Sequence, residues 1–397
     1  MAVRENSSPS CLYDAVVVGA GIQGSFTAYH LAKRGQKTLL LEQFPLPHTR
    51  GSSHGQSRII RSAYPQDYYV AMMKRAYQLW AELEAEAGTP LQRPTPMLVL
   101  GRQQNPEFQS YWQTMQRLDI PHETFTPQAL AQKYPEIRPH GGEMAVADLT
   151  AGVLYPDKAL KAVQEQFRRS GGTVRDGEKV LAILPGSAVT ITTNRGEYRA
   201  KRLVVTAGPW SSRLLDPLGV QLPLQPLRIH VYYWRAKDSG TRSHVEHLPC
   251  FLGINLNQDA HHIYGLPTDE YPGLVKICYH HGSPVEPDRP DQLDRASTVP
   301  DLQILQGFVR NYLPGLDPEP AVQEHCLYTN TPDEDFILDR HPRFNNIVIG
   351  AGFSGHGFKF APVVGEILCQ LSLGEEPPYN LAHFRISRFP ASPKAAL

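Results

Sequence analysis

Residues 13–18 form an apolar run rich in β-branched side chains. Its hydrophobic positions are continuous, not alternating, which fits a central parallel strand covered on both faces. Gly19-Ala20-Gly21-Ile22-Gln23-Gly24 follows, then a helical stretch to about Arg34, with Gly35 where a C-cap is expected. Residues 37–42, containing Thr38-Leu39-Leu40-Leu41, read as a second buried strand. A strand–helix–strand unit therefore opens the chain.

Further along, residues 70–87 favour helix, and residues 92–147 are mixed, with a strand-like patch at 97–100. Residues 157–169 read as an amphipathic helix with Leu160, Val163 and Phe167 on one face, stopped by Gly171-Gly172. Residues 173–180 and 189–193 read as strands, the second closing in a turn at Asn194-Arg195-Gly196. Residues 203–206 and 347–350 are further apolar strands. The second precedes a glycine-rich loop and a helix over 363–373, and residues 225–324 read as strands and loops. Nucleotide-type elements thus occur in three separated pieces. The expected fold is α/β: a Rossmann-like domain from 1–90, 155–224 and 325–397, with an interleaved α+β substrate domain on a mixed β-sheet from 91–154 and 225–324.

Composition narrows the function classes. The 397 residues carry 39 Lys plus Arg against 39 Asp plus Glu. A zero formal charge offers no general surface for nucleic acid, and no acidic run suggests a disordered tail. The five cysteines, Cys11, Cys250, Cys278, Cys326 and Cys369, are odd in number and form no CxxC pair. A disulfide framework or structural zinc site is not expected, and no metal site is read from the paired histidines. No apolar run approaches the roughly 20 residues of a membrane helix.

Gly19, Gly21 and Gly24 match the GxGxxG spacing. They suit a tight turn, close approach to a pyrophosphate, and helix packed on strand. The helix N-terminus adds N–H groups and a positive dipole end for phosphates. Glu42 ends the second strand, where its carboxylate suits a ribose diol and repels a 2′-phosphate. This unit leaves FAD and NAD both open.

Three later motifs decide between them: Gly55-Gln56-Ser57-Arg58-Ile59-Ile60-Arg61, Cys326-Leu327-Tyr328-Thr329, and Gly352-Phe353-Ser354-Gly355-His356-Gly357-Phe358-Lys359. Together they resemble the monomeric sarcosine oxidase family of flavoproteins over essentially the whole chain. The resemblance implies a Rossmann-like FAD-binding domain and FAD held covalently through a cysteine, which maps to Cys326. Read alone, Cys326 is a small buried apolar residue; the family motif gives it the cofactor. Gly352, Gly355 and Gly357 would allow close backbone approach to the flavin, and Val180 would lie near the adenine.

The resemblance also implies oxidation of the C–N bond of secondary amino acids (sarcosine, L-pipecolate or L-proline), with O2 reduced to hydrogen peroxide. Arg61 and Lys359 map to the two cations for the substrate carboxylate, and Lys359 also to the flavin site. Tyr264 and Tyr328 map to tyrosines lining the pocket. Lys276 maps to the group that promotes oxygen reduction, His280 to a histidine beside the substrate, and Arg58 to a basic residue over the flavin. Alternation puts Lys276, Cys278 and His280 on one strand face. A structural ion pair is an equal reading for Lys276 taken alone. Bacterial family members carry Gly-Glu where this chain has Pro65-Gln66-Asp67, so that loop is expected to differ.

Two alternatives stand beside this reading: an FAD-dependent dehydrogenase with a non-oxygen acceptor, and an oxidase of other N-substituted amino acids. The family implies a monomer in the peroxisome, with the import receptor as a partner. The tail Ala395-Ala396-Leu397 keeps the small residue and Leu of such a signal but lacks the central base, which leaves a cytoplasmic location as the alternative.

Overall fold

The computed structural model describes residues 12–238, 247–256, 261–290 and 299–390. Cys11 and Ala395-Ala396-Leu397 lie outside the described residues. The chain divides into two compact units, Met1–Ser53 with Leu160–Gln225 and Thr329–Leu397, and His54–Ala159 with Pro226–Tyr328. The expectation from sequence ended the first segment at residue 90; the division falls at Ser53 because strand Arg58–Ile60 pairs with Gly152–Leu154 of the second unit.

The first unit is built on an eight-stranded sheet. Strand Leu12–Val18 lies between Thr38–Leu41 and Glu197–Val205, parallel to both. Thr173–Arg175 extends the sheet beyond Thr38–Leu41, again in parallel. The long strand Glu197–Val205 carries two neighbours along its other edge. Its first half pairs with Val189–Thr193, and its second half with Ile347–Ala351. Thr38–Leu41 and Ile347–Ala351 are buried at every position, as their unbroken apolar runs require. Helix Ile22–Lys33 connects the first two strands and packs against helix Ala361–Ser372. The α/β Rossmann-like expectation is borne out here. Residues 173–180, however, are not one strand. The chain turns at Gly177, with φ +59°, so Thr173–Arg175 and Val180–Leu184 pair with different partners.

The second unit is built on a nine-stranded mixed sheet. Within it Cys250–Gly253 runs parallel to Met97–Gly101, while Cys250–Gly253, Ile263–Pro267, Leu274–Tyr279 and Gln225–Ala236 pair antiparallel in succession. One face packs Trp234, Phe251 and Ile277 against Phe308 and Tyr312 of helix Val299–Tyr312. The opposite face packs Met97, Val99 and Leu252 against Phe108 and Met115 of helix Pro106–Arg117. Helices Pro106–Arg117, Pro127–Lys133 and Val299–Tyr312 lie in segments whose pattern predicts mixed structure or strands and loops. The first two begin at a capping residue followed by proline. The Asn105 side chain accepts from the Phe108 N–H at 3.0 Å, and the Thr126 hydroxyl from the Ala129 N–H at 3.2 Å.

Period-two alternation sorts the chemistry. Along Leu274–Tyr279, Val275, Ile277 and Tyr279 join the helix-covered core, which turns Lys276 and Cys278 to the other face. On Gln225–Ala236, Tyr232 and Trp234 face that core, while Ile229, Val231 and Tyr233 share a cluster with Cys278 and Cys326.

Asp148 anchors the turn after Arg61. It is fully buried, and its carboxylate accepts from the N–H groups of Ser62 (2.7 Å), Ala63 (2.8 Å) and Thr150 (2.9 Å) and from the Thr150 hydroxyl (2.6 Å). Replacing it with alanine strands four donors. Asp148→Ala is expected to cost roughly 3 kcal/mol in urea unfolding, with the loss in the midpoint and not the slope.

Candidate functional site

In the first unit the glycine motif sits at the C-terminal end of Leu12–Val18. Gly19 adopts φ +99°, and a Cβ there would lie 2.5 Å from the Thr206 carbonyl oxygen. A Cβ on Gly24 would overlap the Gly19 carbonyl oxygen. Both positions exclude any larger residue, which draws the start of helix Ile22–Lys33 onto the sheet. Gly21 is the N-cap and supplies no side-chain cap, and the helix's first turn holds no acid. The Ile22 N–H donates to the Ser53 hydroxyl at 3.0 Å. Glu42 is buried at the next strand end, where it accepts from the Ala20 N–H at 2.9 Å and the Phe44 N–H at 3.1 Å. Its carboxylate thus fixes the glycine turn itself, a role that spacing alone does not reveal. Val180 is buried in one cluster with Leu39 and Leu41.

The second glycine loop follows Ile347–Ala351. Gly352 and Gly355 take φ +65° and +77°, and Ser354, fully buried, takes +44°. The Ser354 hydroxyl pays for that backbone by accepting from the Thr331 N–H at 3.2 Å, while the Ser354 N–H donates to the Thr329 carbonyl at 3.0 Å. The Gln23 amide donates to the Gly357 carbonyl at 2.9 Å, so the two glycine loops are tied together within this unit. Its Oε1 is buried without a partner. Lys359 is buried and donates to the His356 carbonyl at 3.0 Å.

In the second unit the Gly55–Arg61 motif, Cys326–Tyr328 and Lys276 come together. Arg58 donates through Nη1 to the Ser57 carbonyl and through Nη2 to the His54 carbonyl, both at 2.8 Å. Lys276, 4% exposed, donates to the same Ser57 carbonyl at 3.2 Å. Two cations therefore share one peptide oxygen. Burial lowers the Lys276 ammonium from the ordinary lysine range and Arg58 adds repulsion, while Glu270 works the other way. Burial pushes the Cys326 thiol up, and the charges of Arg58 and Lys276 draw it back. Cys250, also buried, is pushed up to about 12.

Tyr264 and Tyr328 bring their hydroxyls to 3.4 Å of each other. Burial raises both phenols above their ordinary range. The His280 ring lies 5.4 Å from the Tyr328 ring and 6.2 Å from the Tyr264 ring. His280 lies one residue past the end of its strand, and its N–H is held by the His262 carbonyl at 2.8 Å. Arg61 stacks its guanidinium 4.0 Å from the Tyr64 ring centre and donates to the Ala63 carbonyl. Burial opposes the Arg61 charge, but Tyr64, Tyr111 and Asp148 more than restore it, leaving it raised. The second unit thus gathers Arg58, Lys276 and Cys326 in one place and Tyr264, Tyr328 and His280 beside them. Sequence reasoning missed Ser53, Asp148 and Glu270. Ser53 lies just before the Gly55–Arg61 motif, whereas Asp148 and Glu270 belong to no motif.

Comparison with known proteins follows the same lines. The FAD dependent oxidoreductase family matches residues 14–371. The chain is 58% identical to the peroxisomal sarcosine oxidase of Mus musculus over 97% of this chain and 98% of that one. It is 37% identical to the monomeric sarcosine oxidase of Bacillus sp. (strain NS-129), over 95% and 97%. Among solved structures, the Tyr258Phe mutant of NikD, described as an unusual amino acid oxidase essential for nikkomycin biosynthesis, superposes with a TM-score of 0.81 at 25% identity, covering 94% of this chain and 96% of that one. The chain belongs to the FAD dependent oxidoreductase family, within its sarcosine oxidase branch.

Proposed function

We propose that this protein is an oxidase of small secondary amino acids that carries FAD covalently on Cys326 and delivers electrons to O2. The observation that carries the reading is the buried Lys276 and the half-buried Arg58 sharing the Ser57 carbonyl, near a thiol whose ionisation they favour. The residues fit FAD. The start of helix Ile22–Lys33, with no acid in its first turn and no side chain at its glycine N-cap, suits its pyrophosphate, and the orphaned Gln23 Oε1 beside two glycine-dense loops leaves a polar acceptor for a ligand donor. When bound, FAD would take an electron pair from the substrate C–N bond and pass it to O2, giving an imine and hydrogen peroxide.

The chain's own groups supply binding and electrostatics. Arg61 presents a planar donor fork that can take a carboxylate bidentately, held on Tyr64 so that little side-chain freedom is lost. The resemblance assigns Lys359 as a second positive charge for that carboxylate. These cations disfavour the protonated amine, and only the neutral amine can release its electrons. Lys276 stabilises the negative charge that develops on oxygen. The pocket tyrosines suit an apolar methyl or ring with a polar edge. By its likeness to the mouse relative, we assign the protein to the peroxisome, reached through the import receptor. Sarcosine and L-pipecolate are the substrates we favour.

The purified yellow protein is expected to form peroxide with sarcosine, L-pipecolate or L-proline and not with primary amino acids; turnover with a dye but not with O2 would make it a dehydrogenase. The lysine cation is present only below its pKa, which burial has lowered. Reaction with O2 should therefore fall as pH rises, below the roughly 10.4 of an ordinary lysine. Cys326→Ser is expected to release all flavin on acid precipitation, whereas Cys278→Ser should retain it. Arg61→Ala should raise KM for carboxylate substrates by about 10²-fold or more while leaving the visible spectrum unchanged; equal damage to both would remove its role as the carboxylate clamp.

A further inference from the structure

The Lys276 ammonium does not end its contacts at the Ser57 carbonyl. It also lies 3.4 Å from the Ser57 hydroxyl, which donates to Glu270 Oε1 at 2.5 Å. The Tyr233 hydroxyl stands 3.2 Å from that same Glu270 oxygen and 3.2 Å from Glu324 Oε2. The Tyr271 hydroxyl donates to the other Glu324 oxygen at 2.6 Å. Lys276 and Ser57 are buried, Glu270 and Tyr271 are half-buried, and Glu324 is exposed. All six residues belong to one unit of the chain. A continuous line of exchangeable protons therefore runs from a buried amine to the surface.

Each link suits transfer. A phenol has one hydrogen, so Tyr233 can donate to only one of its two carboxylates at a time. With both carboxylates at 3.2 Å, the phenol can hand its hydrogen to one while taking one from the other, so it links the two. Burial and then both carboxylates hold the Tyr233 phenol far above its ordinary range, so it passes protons on without remaining ionised. Glu270 Oε2 is buried with no partner and is available to take a proton. The groups facing Lys276 are Arg58, Glu270, Cys278, Cys326, Ser57 and the Tyr233 ring, so Glu270 is the carboxylate that favours its charge. Asp157 and Tyr271 also face Glu270.

We propose that Ser57, Glu270, Tyr233 and Glu324 form a proton path that recharges Lys276 from solvent during oxygen reduction. This rests on the oxidase reading above. A neutral amine gives up a hydride equivalent and one proton in becoming an imine. Oxygen receives that hydride equivalent and one proton to become hydrogen peroxide. Lys276 donates the proton, and its neutral amine takes one back along the path, while the proton lost by the substrate returns to solvent. Glu270 and Tyr233 are positioning residues that act through Lys276.

The test uses the holoenzyme of wild type, Glu270→Gln and Tyr233→Phe. Flavin bleaching by amino acid without oxygen should stay within about twofold of wild type in both variants, and re-oxidation by O2 should slow about tenfold or more with a larger solvent deuterium effect. Glu270→Gln should also move the alkaline limb of a visible-absorption titration, run from about pH 6 to about pH 10, down by about one unit. Tyr233→Phe keeps every charge and should leave that limb in place. Wild-type re-oxidation in both variants, or equal slowing of bleaching and re-oxidation, overturns the path. Should wild type form no peroxide with any amino acid, the oxidase reading fails separately. The absorption limb then still decides: a shift in Glu270→Gln upholds the coupling to Lys276, and an unmoved limb overturns it.

Discussion

Much of the chemistry depends on one peptide oxygen. The Ser57 carbonyl accepts from Arg58 and from Lys276, two cations that would otherwise repel each other in a place sheltered from water. A shared acceptor satisfies donors on both and fixes their separation, and Glu270, reached through the Ser57 hydroxyl, supplies opposite charge one hydrogen bond away. Without that carbonyl and its carboxylate, a buried ammonium would be driven neutral by desolvation. The arrangement opposes the desolvation that lowers Lys276 from the ordinary lysine range. A group proposed to gain and lose a proton in turnover needs that balance.

The same economy appears at the other end of the molecule's chemistry. Gly19, Gly24 and Thr206 press a helix start against a sheet, and Glu42 then ties the turn from below through the Ala20 N–H. The acid that spacing marks as a ribose partner is thereby also a structural clamp. The two roles are compatible, because each carboxylate oxygen accepts more than one hydrogen bond. Asp148 does comparable work in the second unit, where it holds the backbone just after Arg61.

Legibility in the sequence followed periodicity and motif. The strands 13–18, 37–42 and 347–350 were readable because their apolar runs are unbroken, and helix Pro156–Arg169 because its face recurs at helical spacing. The break at Gly177 was not, since Thr173 to Val180 keeps a strand-like composition on both sides of the turn. Helix Val299–Tyr312 was hidden because its apolar residues lie in a region of short strands. Arg58, Lys276, Tyr264, Tyr328 and Cys326 were accessible through family motifs. Glu270 and Glu324 were not, for a physical reason. They act through hydrogen bonds closed by the fold between residues more than 30 positions apart, as between Tyr233 and Glu270, and no spacing rule anticipates such a contact.

The thiols show why geometry must accompany residue identity. Cys250, Cys278, Cys326 and Cys369 are all buried, and burial raises every one of them. By that measure none is a nucleophile. What separates Cys326 and Cys278 from Cys250 and Cys369 is the presence of both Arg58 and Lys276, whose charges oppose the desolvation. The Tyr264 hydroxyl draws the Cys278 thiol down as well, so charge alone does not choose between the two, and it is the family motif that assigns the flavin to Cys326, on strand Leu316–Asn330. In the proposed reading, the cations that would stabilise negative charge on oxygen are the same ones that would ready the cofactor's attachment point, so a single electrostatic arrangement would serve both the making of the enzyme and its turnover.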